Sequence, residues 1–221
     1  GNTNVVLTIT DGINTVEQTV AINVTTPTSS TVATLSYPQG WSLKSLPVNK
    51  EIDSSEIATM FSSDKGIVSL WQYDSSTGWR SYAPTSAANT SGSTITAIGA
   101  GEGFWINSSK SGTIEFANTG NSSSAGCYDI LDSTSSTKLT SILNSTSWHL
   151  LGTCSDMLLE SPNSSVKSLM SVKPNTTIVW MYDNGWKAYS HNESIKSQII
   201  SGMVDTILDS TIPAGMGFWV K

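Results

Sequence analysis

Catalysis by proton transfer or by a nucleophile needs an imidazole, an activated hydroxyl or thiol, or paired carboxylates, and this chain offers few candidates. His149 and His191 are its only histidines. Neither lies in an H-E-x-x-H pattern, and no G-x-S-x-G elbow is present. Gly99-Ala100-Gly101-Glu102-Gly103 has the glycine density of a phosphate loop. Such a loop follows a strand and opens a helix, whereas Phe104-Trp105-Ile106 continues here as a strand. A turn or bulge that permits close packing is therefore expected. Asp11, Asp74 and Asp183 fall near turns, but their spacing matches no calcium loop. Aspartate is favoured in turns for its own backbone hydrogen bonds. No catalytic residue, metal or cofactor is expected, and the chain reads as a non-enzyme.

Cys127 and Cys154 are the only cysteines. In a low-charge, hydroxyl-rich chain they fit one disulfide in an oxidising compartment, with two buried thiols as the alternative. Neither a C-x-x-C pair nor a histidine cluster completes a zinc site.

The aromatic residues are the richer signal. All eight tryptophans fall into two sets of four, in the same order and at nearly the same local spacing. The first set reads Trp41-Ser-Leu43, Leu70-Trp71-Gln-Tyr73-Asp74, Gly78-Trp79-Arg-Ser-Tyr82 and Ala100-Gly101-Glu-Gly103-Phe104-Trp105-Ile106. The second reads Trp148-His-Leu150, Val179-Trp180-Met-Tyr182-Asp183, Gly185-Trp186-Lys-Ala-Tyr189 and Ala214-Gly215-Met-Gly217-Phe218-Trp219-Val220. This is a tandem duplication. Exposed tryptophan and tyrosine on a strand face can stack on sugar rings, but four tryptophans in so small a module are expected mostly in its core. Trp79 and Trp186, with Tyr73 and Tyr182, are the candidate ligand-binding residues.

Each copy reads as strand, short helix, strand, turn, strand, variable segment, strand. Ile57, Met60 and Phe61 have helical spacing behind a capping-box-like Asp53 and Glu56. Val166, Leu169 and Met170 repeat that spacing behind Ser164 and Ser165. In the second copy Asn184-Gly185 is a two-residue hairpin signal. Counting back from it pairs Asp183 with Trp186, Tyr182 with Lys187 and Trp180 with Tyr189. A loop over Ser75–Gly78 gives the equivalent pairs in the first copy: Asp74 with Trp79, Tyr73 with Arg80, Trp71 with Tyr82. In that register Trp79 and Trp186 face away from Trp71 and Trp180. Ile195, Ile199 and Met203 add a helix to the second variable segment. Thr113-Ile114-Glu115-Phe116 adds a strand to the first copy.

The composition limits the partners. Net charge is −6 and only 13% of residues are charged, with no basic cluster for nucleic acid or an anionic membrane. No apolar run approaches the roughly 20 residues of a membrane helix. Polarity comes from 39 serines and 27 threonines, which suit strands and turns better than helices. Gly1-Asn2-Thr3-Asn4 is not a signal peptide and reads as the interior of a longer chain.

Val5–Thr10 and Thr19–Val24 read as strands around an Asp11–Asn14 turn. The phrases Leu7-Thr-Ile9-Thr-Asp11-Gly12 and Val20-Ala-Ile22-Asn-Val24 resemble the last two strands of bacterial immunoglobulin-like or cadherin-like repeats. The Trp/GFW modules resemble repeats in the C-terminal regions of large bacterial surface or secreted proteins. Those resemblances imply a cell-surface or extracellular setting and carry over no functional residue. The expected chain is mainly β, a β-rich α+β protein. A hairpin (1–28) and linker (29–36) precede a first Trp-rich module (37–117), a second linker (118–126) and a second module (127–221). The expected function is a structural or adhesive segment, with a carbohydrate-binding module as the alternative. Its partners are a protein, a surface glycan or a second copy, without nucleic acid or membrane insertion.

Overall fold

The structure, a computed structural model, describes residues 2–10, 15–23, 32–85, 94–117, 145–161, 168–183, 185–200, 206–207 and 211–221. The chain is mainly β and divides into two compact units, Gly1–Thr31 and Val32–Lys221. The first unit is one antiparallel ribbon, β1 (Asn2–Thr10) and β2 (Thr15–Asn23), in continuous register from Asn2 opposite Asn23 to Thr10 opposite Thr15. The expected turn at 11–14 lies outside the described residues.

The second unit holds both copies. In the first, β4 (Gly40–Ser45), β6 (Ile67–Asp74), β7 (Gly78–Tyr82) and β9 (Gly103–Ser108) form a sheet of order β4-β9-β6-β7. In the second, β11 (His149–Gly152), β13 (Val179–Tyr182), β14 (Trp186–Tyr189) and β17 (Gly217–Val220) repeat it as β11-β17-β13-β14. The ribbon β5 (Ile52–Asp53) with β8 (Ala97–Ile98) is matched by β12 (Met157–Leu158) with β16 (Thr211–Ile212). The duplication thus extends beyond the tryptophans. β15 (Thr206–Ile207) runs parallel to β14 and closes the second sheet.

Two elements fall where the sequence pattern places them. Helix α1 (Ser54–Met60) carries the capping box: the Asp53 carboxylate accepts from Ser55 and Glu56 N–H, and the Glu56 carboxylate accepts from Asp53 N–H. Such a cap stabilises a helix start by about 1 kcal/mol, and α1 then buries Ile57 and the following Phe61. β10 (Gly112–Ala117) is the extra strand. The second copy's helix α2 (Leu169–Val172) is capped by Ser168, whose Oγ accepts from Ser171 N–H; Ser164, Ser165 and Val166, where the start was expected, lie outside the described residues. Helix α3 (Glu193–Ile200) is the added helix, with Ile199 buried.

β10 pairs with β3 (Val32–Tyr37), so the stretch read as a linker ends in a strand of the first core. Leu35 and Tyr37 point inward from it and are buried, while Thr34 and Ser36 are exposed. The second linker lies outside the described residues. So does Cys127, and with it the expected disulfide to Cys154.

The central hairpins correct the expected register. Tyr73 pairs with Trp79 and Trp71 with Ser81; Tyr182 pairs with Trp186 and Trp180 with Ala188. Both copies are shifted by one residue from the expected pairing. In the first, the Asp74 carboxylate accepts from the N–H of Ser76 and Thr77, and Gly78 opposite it has φ 79°. That arrangement leaves a three-residue loop, 75–77. The second loop is also three residues, 183–185, with Asp183 N–H donating to the Gly185 carbonyl. A one-residue shift inverts every side chain. Trp71, Tyr73 and Trp79 therefore share one face, while Leu70, Gln72 and Tyr82 are buried on the other.

Candidate aromatic binding face

Each sheet has two unlike faces. Phe104 and Ile106 of β9, with Leu70 of β6, enter a core with Ile52, Ile57 and Phe61. Phe218 and Val220 of β17 and Val179 and Met181 of β13 do the same in the second copy. The alternating positions carry Trp71, Tyr73 and Trp105, or Trp180, Tyr182 and Trp219. The expectation that most tryptophans are core is overturned: none of the eight is buried, and Trp41, Trp71, Trp79, Trp148 and Trp186 are 37–46% exposed. The strands position them. Two-residue periodicity sends the aliphatic set to the core and leaves the aromatic set on the opposite face.

The two copies dock about a pseudo-twofold axis. Ser45 N–H donates to the Gly215 carbonyl at 2.9 Å, and Gly152 N–H to the Gly101 carbonyl at 2.9 Å. Lys44 forms a single antiparallel bridge with Met216, and Leu151 forms the equivalent bridge with Glu102. Near the axis, Ser45 Oγ donates to the Thr153 carbonyl at 2.9 Å and accepts from Thr153 N–H at 3.0 Å. The two Ala-Gly-x-Gly runs are the docking turns. Gly101 and Gly215 have φ of 77° and 79°. A Cβ on Gly103 would strike the Leu151 carbonyl, and one on Gly217 would lie 2.5 Å from the Lys44 carbonyl oxygen. The turn reading of these runs thus acquires a cause: each admits the other copy's backbone.

Docking interleaves the aromatic faces. Trp105 meets Tyr182 and Trp186 at ring-centroid distances of 5.5 and 5.8 Å; Trp219 meets Tyr73 and Trp79 at 5.3 and 5.8 Å. Trp41 lies 6.3 Å from Trp105 and Trp148 6.5 Å from Trp219. Two open clefts result, each about 520 Å³. One is lined by Trp41, Trp71, Trp79, Trp105, Tyr182 and Trp186, the other by Trp148, Trp180, Trp186, Trp219, Tyr73 and Trp79. The axis exchanges the two sets residue for residue. The four residues singled out from sequence all line these clefts, and Trp79 and Trp186 line both. Sequence reasoning missed Trp41, Trp71 and Trp105 with their equivalents; the signal for Trp71 and Trp105 was alternation with Leu70 and Phe104, hidden because both faces are apolar there, and Trp41 alternates with a serine, Ser42, that is buried against expectation.

Among the described residues, two buried ionisable groups lie close together in the second copy, His149 and Lys173. His149 is buried, and its Nε2 has no hydrogen-bond partner. Burial and nearby Lys173 hold its pKa below the usual 6.5, against a smaller opposing effect of Asp74. Lys173 is buried too, donating to the Ser145 carbonyl at 2.6 Å and to Asn175 Oδ1 at 3.1 Å, and burial lowers its pKa. The expected consequence for His149 is acid sensitivity. Below pH 6.5 the unfolded chain takes a proton that folded His149 resists, so stability falls as pH drops through that value. His149→Ser, which copies Ser42 of the first module, should flatten the fall in thermal midpoint between pH 7 and pH 5. An unchanged slope would remove His149 as its cause. Among the described residues no cluster of three or more metal-ligating side chains occurs, and no helix is long and apolar enough to cross a membrane.

No family model matches the chain, and neither a curated protein nor a solved structure matches it.

Proposed function

We propose that the chain is a non-enzymatic adhesive segment of a bacterial surface or secreted protein, acting outside the cell through its aromatic face. The carrying observation is the placement of all eight tryptophans on one continuous aromatic surface with none buried. Apolar surface of this kind marks interaction sites rather than ordinary exterior. Low charge and the serine- and threonine-rich composition support the extracellular setting.

A glycan is the partner this face favours over a structural role alone. Ser69, Ser81 and Asn107 are half-buried beside the rings, as is usual where sugar hydroxyls are met while rings cover C–H faces. The purified chain should be retained on at least one insoluble polysaccharide, and Trp79→Ala or Trp186→Ala should reduce retention at least about tenfold with folding intact, a loss of about 1.4 kcal/mol. Retention unaffected by either substitution counts against the face.

The first unit favours a second reading, assembly with another chain or domain. Its two nine-residue strands pair with each other and, among the described residues, with no further strand. A lone ribbon is marginal in water, and its edges suit strand addition.

A further inference from the structure

The geometry points to the two clefts as aromatic boxes for a quaternary ammonium group. This rests on the aromatic face being a binding surface, but not on its ligand being a sugar.

The first observation is chemical. Every described residue lining either cleft is tryptophan or tyrosine. Ser69, Ser81 and Asn107, which can meet sugar hydroxyls elsewhere on the face, are not among those lining residues, so inside the clefts a hydroxylated group would lose hydration against few partners. A quaternary ammonium has no donor to lose and is attracted by the negative faces of aromatic rings.

The second is angular. Trp41 and Trp105 are inclined at 80° with centroids 6.3 Å apart, Trp71 and Trp79 at 73° and 6.4 Å, and Trp105 and Trp186 at 73° and 5.8 Å. Coplanar rings make a platform for a flat pyranose. Rings near a right angle make corners in which one compact cation comes within about 6 Å of two centroids. The second cleft repeats the corners: Trp148 with Trp219 at 81°, Trp180 with Trp186 at 87°, Trp79 with Trp219 at 67°.

The third is the sign of charge. The chain carries a net charge of −6, and the cleft tyrosines Tyr73 and Tyr182 are each followed by a hairpin-tip carboxylate, Asp74 and Asp183. A cation already uses this surface: Lys221 Nζ lies 5.8 Å from the ring centroid of Trp148, a wall of the second cleft. At the equivalent place beside Trp41 the first copy has Asn107, its partner across β4 and β9. The first cleft is therefore the one a ligand cation enters without displacing a lysine.

The test titrates tryptophan fluorescence with choline and with 3,3-dimethylbutan-1-ol, its neutral isostere. Choline should bind, with the isostere weaker by about tenfold or more. Trp79→Ala should weaken choline by about tenfold at both clefts, while Trp79→Phe, which keeps a ring, should stay within about threefold. Lys221→Ala should tighten binding at the second cleft. Equal affinity for choline and the isostere, or no response to choline, overturns the proposal. Polysaccharide retention without a choline response overturns the boxes and leaves the adhesive face standing. A choline response without retention keeps the boxes and removes the sugar. Failure of both removes the face as a binding surface.

Discussion

Gly103→Ala and Gly217→Ala should each lower stability by about 2–3 kcal/mol, the upper part of the range for forcing a methyl into a packed contact. In a chain of this size that is roughly 4–12 °C in thermal midpoint. The cause is specific. The new Cβ meets the backbone of the other copy, Leu151 or Lys44, not the movable end of a side chain. β11 cannot yield without losing the Gly152 N–H bond to Gly101, nor β4 without losing the Ser45 N–H bond to Gly215. Both substitutions oppose one docking event, so their effects should be less than additive: once the copies part, the second clash has nothing left to push against. Gly99→Ala is the control. Its added methyl would meet only the Glu102 side chain, at 3.4 Å, and should cost under about 1 kcal/mol. Thermal unfolding followed by circular dichroism compares the parent, the three single variants and the Gly103→Ala/Gly217→Ala double variant. Midpoints for Gly103→Ala and Gly217→Ala as close to the parent as that of Gly99→Ala would show that the copies do not dock as described. The same substitutions should weaken ligand binding, because Tyr182 and Trp186 complete the first cleft from the second module, and Tyr73 and Trp79 complete the second cleft from the first.

The elements were largely legible and the site only partly so, for physical reasons. The repeat, the capping box at Asp53 and the strand at Thr113–Phe116 are local signals, and local chemistry fixes them. The hairpin register is set by which turn wins. Asn184-Gly185 argues for two residues, but the loop spans three. In the first copy the Asp74 carboxylate closes a turn one residue tighter than the glycine count implies. That shift reversed the inferred facing of Trp79 against Trp71, although the equivalence of the two copies survived it. Exposure of the tryptophans was illegible for a different reason. Period two normally alternates apolar with polar, but here it alternates aliphatic with aromatic, and hydrophobicity cannot say which face is the core. β3 was hidden by its hydroxyls: Ala33, Leu35 and Tyr37 alternate as a strand should, among threonine and serine that also read as linker. Docking between the copies left one trace in the sequence, the second glycine of each Ala-Gly-x-Gly run.

The pseudo-symmetry also makes Lys44→Leu an expected gain. Lys44 is buried at the copy interface, and the equivalent position in the second copy is Leu151, also buried. The Lys44 ammonium has a thioether as its hydrogen-bonded side-chain partner, Met216 Sδ at 3.5 Å, a weak acceptor. Burial lowers its pKa, and Asp183 opposes that only in part. A charge held this way costs more in lost hydration than it recovers. Replacement by leucine should stabilise by about 1–3 kcal/mol, since well-packed apolar substitutes for buried ions are often neutral or favourable. Asp183 loses a distant countercharge but keeps Lys187 at 3.9 Å. The pH dependence separates this cause from improved packing. Folded Lys44 releases its proton below the unfolded value of 10.5, so between the two pKa values the unfolded chain binds more protons and parent stability rises with pH. The advantage of Lys44→Leu should therefore be full near neutrality and shrink as pH approaches 10.5. Tyr37, Tyr82 and Tyr189, whose pKa values burial raises, act in the opposite direction above about pH 10. They are common to both proteins and cancel in the difference. Urea unfolding of parent and variant at pH 7, 9 and 10 measures that difference. A gain unchanged with pH assigns the effect to packing, and a loss at every pH means that the ammonium is satisfied where it lies.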